Sequence, residues 1–377
     1  MKNKISFPVG FHNFHKDQGI NFQLNRLHAL GFARLEDMKE AGQKISSFEE
    51  WKKEMLNLAD TATSEGRLVN AAFYYRAAEF FTLRDDPDKE LLYNKFIDNF
   101  KKVFKDDARQ KYEVPYGNAF LPAVRIQPVD KKKIGVIILH GGFDSLIQEL
   151  YSVIWYFVDH GYEVLAFEGP GQGAALKNGL GFDYEWEKPA KAILDYFKLN
   201  DVTWLGISLG GWLGLRAAAF EPRIKRVIAS SVSFDVNQYA NTVGQLIAKL
   251  LFRYFRNFVN NSIVKNMKKN LMYSWYCNNL MYITDKKVPI EGFDVLLKIN
   301  EENLHSDLVK QDVLICTGEK DHMIPLKMHK LQVKALTNAK SITDIVFTEK
   351  TQGHNHCQLG NLDLALETMV NWIEEKT

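Results

Sequence analysis

The strongest constraint on this 377-residue chain is a set of apolar runs too continuous for half-exposed strands. They lie at Ile134 to Leu139, Val164 to Phe167, Val202 to Ile207, Val227 to Ala229, Val313 to Ile315 and Ile345 to Phe347. Such runs fit strands covered on both faces. Helical stretches separate most of them, and strands alternating with helices imply an α/β fold with a mostly parallel, doubly wound sheet. Ahead of these runs, Tyr112 to Val114 and Ala119 to Ile126 read as strands with turns at Pro115, Gly117 and Pro122.

Two regions break the alternation. Residues 20–109 read as helices. Ser46 and Ser47 stand three residues before Glu49 and Glu50, the capping-box spacing that opens a helix through Trp51, Met55, Leu58 and Ala62. Pro87 opens another, whose stripe Leu92, Phe96, Phe100 and Val103 keeps helical spacing. Ala71 to Ala78 would suit one tetratricopeptide-like helix pair, but no second copy follows at a repeat period. The second helical region runs from Asp235 to about Asp307 and is rich in aromatics, such as Leu251 to Phe258 and Tyr273 to Tyr276. An insertion there would sit over the carboxyl ends of the strands, where open sheets bind ligands. The expected organisation is a helical N-terminal domain at 1–110 and an α/β domain at 111–377. A helical, pocket-lining lid is expected at about 236–307.

The formal net charge of +2 gives no basic field that would argue for nucleic acid. The lysines at 131–133 and between 265 and 269 read as solvated faces. Cys277, Cys316 and Cys357 are too few for a disulfide framework and fit a reducing compartment. The first residues lack the apolar core of a signal peptide, and no stretch reaches the roughly 18 apolar residues of a membrane span. The expectation is a cytoplasmic protein with neither a nucleic-acid nor a membrane partner. A homodimer is compatible with the chain, and nothing in the sequence requires a cofactor or a metal.

Between one strand run and a good helix former lies Gly206-Ile207-Ser208-Leu209-Gly210-Gly211. A G-x-S-x-G pentapeptide in that setting reads as a sharp turn that lifts a serine hydroxyl above the sheet. The turn also aims the Leu209 amide, at a helix N-terminus, at an oxyanion forming on a substrate carbonyl. A serine is a weak nucleophile, so the chemistry needs a base and a group that orients the base. Asp321 follows the run Val313 to Ile315, with Glu319 as a rival acid. His354 and His356 follow the last strand, and either could be the base. A zinc reading of both histidines with Asp321 or His322 lacks a further donor cluster to complete it. A second oxyanion amide would come from Gly142 or Phe143, in the glycine-bearing loop after Leu139. Ser145 with Gln148 has capping-box spacing, and His140 reads as a loop-shaping residue. Glu168, opening a loop through Gly173, is an accessory acid or a plain strand-end carboxylate.

Together, the motifs His140 to Ser145, Glu168 to Gly173, Gly206 to Gly211 and His356-Cys357-Gln358 resemble one branch of the α/β-hydrolases. That branch includes dihydroxypseudooxynicotine hydrolase, the fungal pigment-pathway hydrolases that shorten polyketides, and the fermentation/respiration switch proteins. The resemblance spans roughly residues 60–377. It implies the α/β-hydrolase fold and a Ser208, Asp321, His356 triad, the His-Cys-Gln motif marking His356. It also implies that the substrate is a carboxylic ester or a β-diketone-like compound cleaved at a carbon–carbon bond, and that Asp235 is the nearest match to an additional acid near the lid. The aromatic lid favours a small apolar or aromatic carbonyl substrate. The rival expectation is a non-catalytic binding or regulatory protein on the same fold, with the helical domain as partner surface.

Overall fold

A computed structural model of the chain describes residues 6–107, 109–129 and 131–377. Two compact units emerge, the first formed by 1–108, 266–279 and 359–363 and the second by 109–265, 280–358 and 364–377.

The first unit is built on five helices: α1 (Gln18–Ala29), α2 (Leu35–Lys44), α3 (Phe48–Ser64), α4 (Leu68–Phe80) and α5 (Asp88–Val103). Ser47 caps α3 by accepting the Glu50 N–H at 3.1 Å, while the Glu50 carboxylate takes the Ser46 N–H at 2.7 Å. The capping spacing in the sequence therefore marks a real helix start. Helix α4 is the centre, buried from Ala71 to Phe80. A helix buried on every side must be surrounded, and the two charged residues in that span, Arg76 and Glu79, pair with each other. Phe73 stacks on Phe32 at 3.5 Å, and the Trp51 indole donates to the Ala77 carbonyl at 2.6 Å. Trp275, in the segment 266–279, stacks on Phe80, meets Phe81 edge-on and donates to the Phe80 carbonyl. Trp275 belongs to the aromatic cluster Tyr273 to Tyr276 of the expected lid region, and its ring packs within the first unit.

The second unit holds one eight-stranded sheet in the order β1-β2-β4-β3-β5-β6-β7-β8. Its strands are β1 (Arg109–Tyr116), β2 (Ala119–Ile126), β3 (Gly135–His140), β4 (Tyr162–Phe167), β5 (Val202–Ile207), β6 (Ile224–Ser230), β7 (Asp312–Gly318) and β8 (Ser341–Phe347). The first two pair antiparallel, β2 joins β4 antiparallel, and the rest are parallel. Strands β4 and β7 are buried along their whole length, as their apolar runs Val164 to Phe167 and Val313 to Ile315 require, with the buried Glu163 and Asp312 at their starts held by ion pairs. The run Ile345 to Phe347, expected to be covered on both faces, lies in the edge strand β8, which is half-buried from Ser341 to Thr343, exposed at Asp344 and Val346 and buried only at Phe347.

Helices α6 (Tyr151–Asp159), α7 (Gly173–Lys177), α8 (Glu187–Phe197) and α9 (Leu209–Phe220) connect the early strands, and α9 packs on β5 and β6. Every element between β6 and β7 is helical: a 3-10 turn at Val236–Gln238 is followed by α10 (Thr242–Tyr254), α11 (Arg256–Met267), α12 (Leu271–Ile283) and shorter helices. Phe255 and Phe258, in the aromatic cluster Leu251 to Phe258 of the expected lid region, are exposed. Among the described residues, no helix is long and apolar enough to cross a membrane.

Candidate active site

Ser208 is the junction of β5 and α9, with φ +63° and ψ −126°. An L-residue held there is strained, and the strain persists only where the surroundings enforce it. Enforcement comes from close backbone packing: a Cβ on Gly206 would lie 1.9 Å from the Gly210 carbonyl oxygen. The Ser208 N–H donates to the Ser230 carbonyl at 2.8 Å, which ties the turn to the end of β6.

From the serine a hydrogen-bonded series runs to two loops after parallel strands. Ser208 Oγ lies 2.8 Å from His356 Nε2, and His356 Nδ1 lies 2.7 Å from Asp321 Oδ2. In the neutral ring this geometry assigns the proton to Nδ1, which donates to the carboxylate, and leaves Nε2 to accept from the hydroxyl. Asp321 is fixed from its other side, where Oδ1 accepts the N–H groups of Met323 and Ile324, each at 2.9 Å.

The electrostatics follow from this packing. Burial opposes charge on both groups. At Asp321 it is outweighed by His356 and the two amides, and the carboxyl pKa is lowered. At His356 it is outweighed by the neighbouring Cys357 and by Asp321, which raise the imidazole pKa well above its ordinary value. His322 sits edge-on to His356, 6.5 Å between ring centres; burial first, then the nearby His356 charge, lowers its pKa. Of the two histidines the sequence left open, His356 makes the bond to Ser208. The His354 backbone carbonyl instead accepts the Lys320 N–H at 2.8 Å.

The loop after β3 approaches the first turn of α9 closely. A Cβ on Gly142 would lie 2.6 Å from the Leu209 nitrogen, so only glycine fits. The Gly142 N–H, however, donates to Ser145 Oγ at 3.0 Å. Ser145 was expected to cap the next helix with Gln148; its hydroxyl is taken up inside its own loop instead. Of the two candidate second amides, Gly142 thus has an intramolecular acceptor, and Phe143 is the next along the loop.

Two buried side chains brace this loop. Gln172 donates through Nε2 to the carbonyls of Gly141 and Gly142, both at 2.8 Å, and accepts the Gly169 N–H at 3.0 Å. His140 donates from Nδ1 to the Gly141 carbonyl, while its Nε2 accepts the indole N–H groups of Trp186 and Trp204. Burial lowers its pKa to about 4, so it stays neutral and shapes the loop, as its sequence position suggests.

Neither candidate accessory acid joins the serine–histidine series. Glu168 accepts the Ile147 and Ala174 N–H groups, one on each carboxylate oxygen, at 3.0 and 2.6 Å. Asp235 accepts the Asn237 backbone and side-chain N–H groups on Oδ1 and the Gln238 amide on Oδ2. Sequence reasoning missed Ser231. Its hydroxyl donates to Asp321 Oδ2 and accepts the Cys357 N–H, each at 3.2 Å, from a residue with φ +68°. No motif marks it, because both partners are remote in sequence.

Comparison with known proteins agrees with the fold. Residues 136–345 match the model of the alpha/beta hydrolase family. The "Hydrolase LUC6" of a Fusarium species is 28% identical over 77% of this chain and 76% of its own length. The "20-hydroxy-prefusarin hydrolase FUS2" of Gibberella moniliformis is 34% identical over 45% of each chain. The crystal structure of 2,6-dihydroxy-pseudo-oxynicotine hydrolase superposes with a TM-score of 0.67 at 20% identity, covering 92% of this chain and 94% of its own.

Proposed function

The chain belongs to the alpha/beta hydrolase family and is a hydrolase, and from that premise we propose that it is a serine hydrolase acting on a carbonyl compound through Ser208, His356 and Asp321. The observation that carries the reading is the unbroken series Ser208 Oγ, His356 Nε2, His356 Nδ1, Asp321 Oδ2, with links of 2.8 and 2.7 Å. It stands at a serine whose backbone is held at φ +63°.

In the proposed reaction His356 Nε2 takes the Ser208 hydroxyl proton as Oγ attacks the substrate carbonyl carbon. The carbonyl oxygen becomes an oxyanion that accepts hydrogen bonds from the Leu209 and Phe143 amides. Collapse of that intermediate breaks the bond to the leaving group, which takes the proton from His356. Water, deprotonated by His356, then hydrolyses the acyl-serine. The leaving group is an alkoxide for an ester and a carbanion for a β-diketone-like compound. Both need the same proton. Since Glu168 and Asp235 are engaged by backbone and side-chain N–H groups, protonated His356 is assigned as its donor in either case.

The test is the intact mass of the wild-type protein and of Ser208→Ala after exposure to a small fluorophosphonate. One adduct on the wild type, mapped to Ser208 and absent from the variant, is the expected result. A folded wild type that takes no adduct, or takes it elsewhere, overturns the reading. Labelled protein then justifies screening activated esters against β-diketones.

A further inference from the structure

Helix α10 buries none of its residues. Val243, Leu246, Ile247, Leu250 and Tyr254 fall on one face by helical spacing, and each keeps between 47% and 67% of its surface exposed. Phe258, at the start of α11, is exposed to the same degree. A contiguous apolar stripe of this kind on a soluble surface marks something that covers it.

The charge pattern says what kind of surface that is. From Val236 to Thr284 the sequence holds six lysines and arginines and no aspartate or glutamate. The whole chain carries only +2, so positive charge is concentrated here. Lys249 and Arg253 follow Leu246 by three and seven residues and therefore border the apolar stripe on the same side of α10. Arg256 pairs with Asp294. Neither Lys249 nor Arg253 has an ion-pair partner among the described residues, although Arg253 lies over the Tyr254 ring.

We propose that α10 is a docking face for an anionic lipid surface, lying in the plane of the interface with its apolar stripe inserted and its cations at the headgroups. An amphipathic helix with a basic border is the arrangement that binds such surfaces without crossing them. A second copy of the chain is the poorer occupant, because pairing two α10 faces would bring their uncompensated cations together. The proposal does not depend on the hydrolytic reading: vesicle binding does not involve Ser208, so either can fail alone.

The test is co-sedimentation of the full chain with vesicles of phosphatidylcholine alone and of phosphatidylcholine with a quarter phosphatidylglycerol. The expected result is partition onto the anionic vesicles, weakened by raised salt. Lys249→Gln with Arg253→Gln should lose roughly 30-fold of that binding, the worth of two juxtamembrane cations. Leu246→Ser with Leu250→Ser should lose on the order of 100-fold. All four side chains are exposed, so unchanged circular dichroism and melting temperature confirm that the folds are intact. Absent binding, or equal binding to both vesicle types, overturns the proposal. So does a dimer in sedimentation equilibrium that the leucine variants dissociate, which would assign the stripe to a second copy.

Discussion

Ser231 bridges Asp321 and the backbone that follows His356: its hydroxyl donates to Asp321 Oδ2 and accepts the Cys357 N–H, both at 3.2 Å. One buried hydroxyl thus sets the position of the carboxylate and of the loop that carries the imidazole. In Ser231→Ala the half-buried Cys357 amide loses that acceptor, a cost of about 1 kcal/mol. The variant should melt at a lower temperature and lose kcat more than it gains KM. Ser231→Gly removes the same hydroxyl but tolerates the φ of +68° without strain, so it should lose kcat as Ser231→Ala does. A wild-type kcat in either variant would mean that the hydroxyl positions nothing.

The raised pKa of His356 has a definite consequence for rate against pH. In the proposed reaction His356 is the base and works only when neutral, so kcat/KM is expected to rise with pH through its folded-state pKa. That pKa lies well above the ordinary imidazole value, with Cys357 and Asp321 as the raising influences. The acid limb of the profile should therefore inflect above about 6.5. Asp321→Asn removes the negative charge that favours the imidazolium. Its limb should move to lower pH while the plateau falls by roughly 10⁴-fold, the loss seen when a triad aspartate is replaced. A limb that does not move in Asp321→Asn would separate the carboxylate from the titrating base.

The readable and unreadable parts of this chain divide along sequence distance. Strands β3 to β7 were legible because burial on both faces leaves no polar alternation. The turn at Ser208 was legible because its neighbours must be small. The start of α3 was legible because Ser47 and Glu50 are three residues apart. The role of Trp275 was not: an aromatic in a helical insertion looks the same whether it faces a ligand or packs on Phe80. Ser145 has capping spacing, yet a closer partner, the Gly142 amide, takes its hydroxyl. Ser231 has no local signature at all, since its partners lie 90 and 126 residues away. Choosing His356 over His354 from sequence rested on a resemblance; in the fold, His356 Nε2 lies 2.8 Å from Ser208 Oγ, which is what the proposed reaction builds on.

The turn at Ser208 tolerates no side chain on its first glycine. With only 1.9 Å between a Cβ at position 206 and the Gly210 oxygen, Gly206→Ala must displace the backbone of either β5 or α9. Overpacking of a rigid core costs about 1–3 kcal/mol, and backbone-to-backbone conflict sits at the upper end or beyond. The variant should melt well below the wild type, and its folded fraction should react with a fluorophosphonate more slowly. Wild-type melting and labelling together would show that the turn is slack.

Gln172 gives the most direct way to disturb the loop after β3 without touching Ser208, His356 or Asp321. Its side-chain amide holds two consecutive carbonyls, of Gly141 and Gly142, and thereby the direction in which the following Phe143 amide points. Gln172→Glu keeps the shape but replaces two donated hydrogen bonds with an acceptor facing two acceptors, so it should be worse than Gln172→Ala. Displacing an oxyanion donor by about 1 Å costs on the order of 10²-fold in rate. The loss should fall on kcat, with KM for an activated ester little changed, because the oxyanion forms only after binding. Fluorophosphonate labelling should slow in the same order, since the phosphonyl oxygen uses the same amides. A glutamate variant that labels at the wild-type rate would show that the loop needs no brace and that the second donor lies elsewhere.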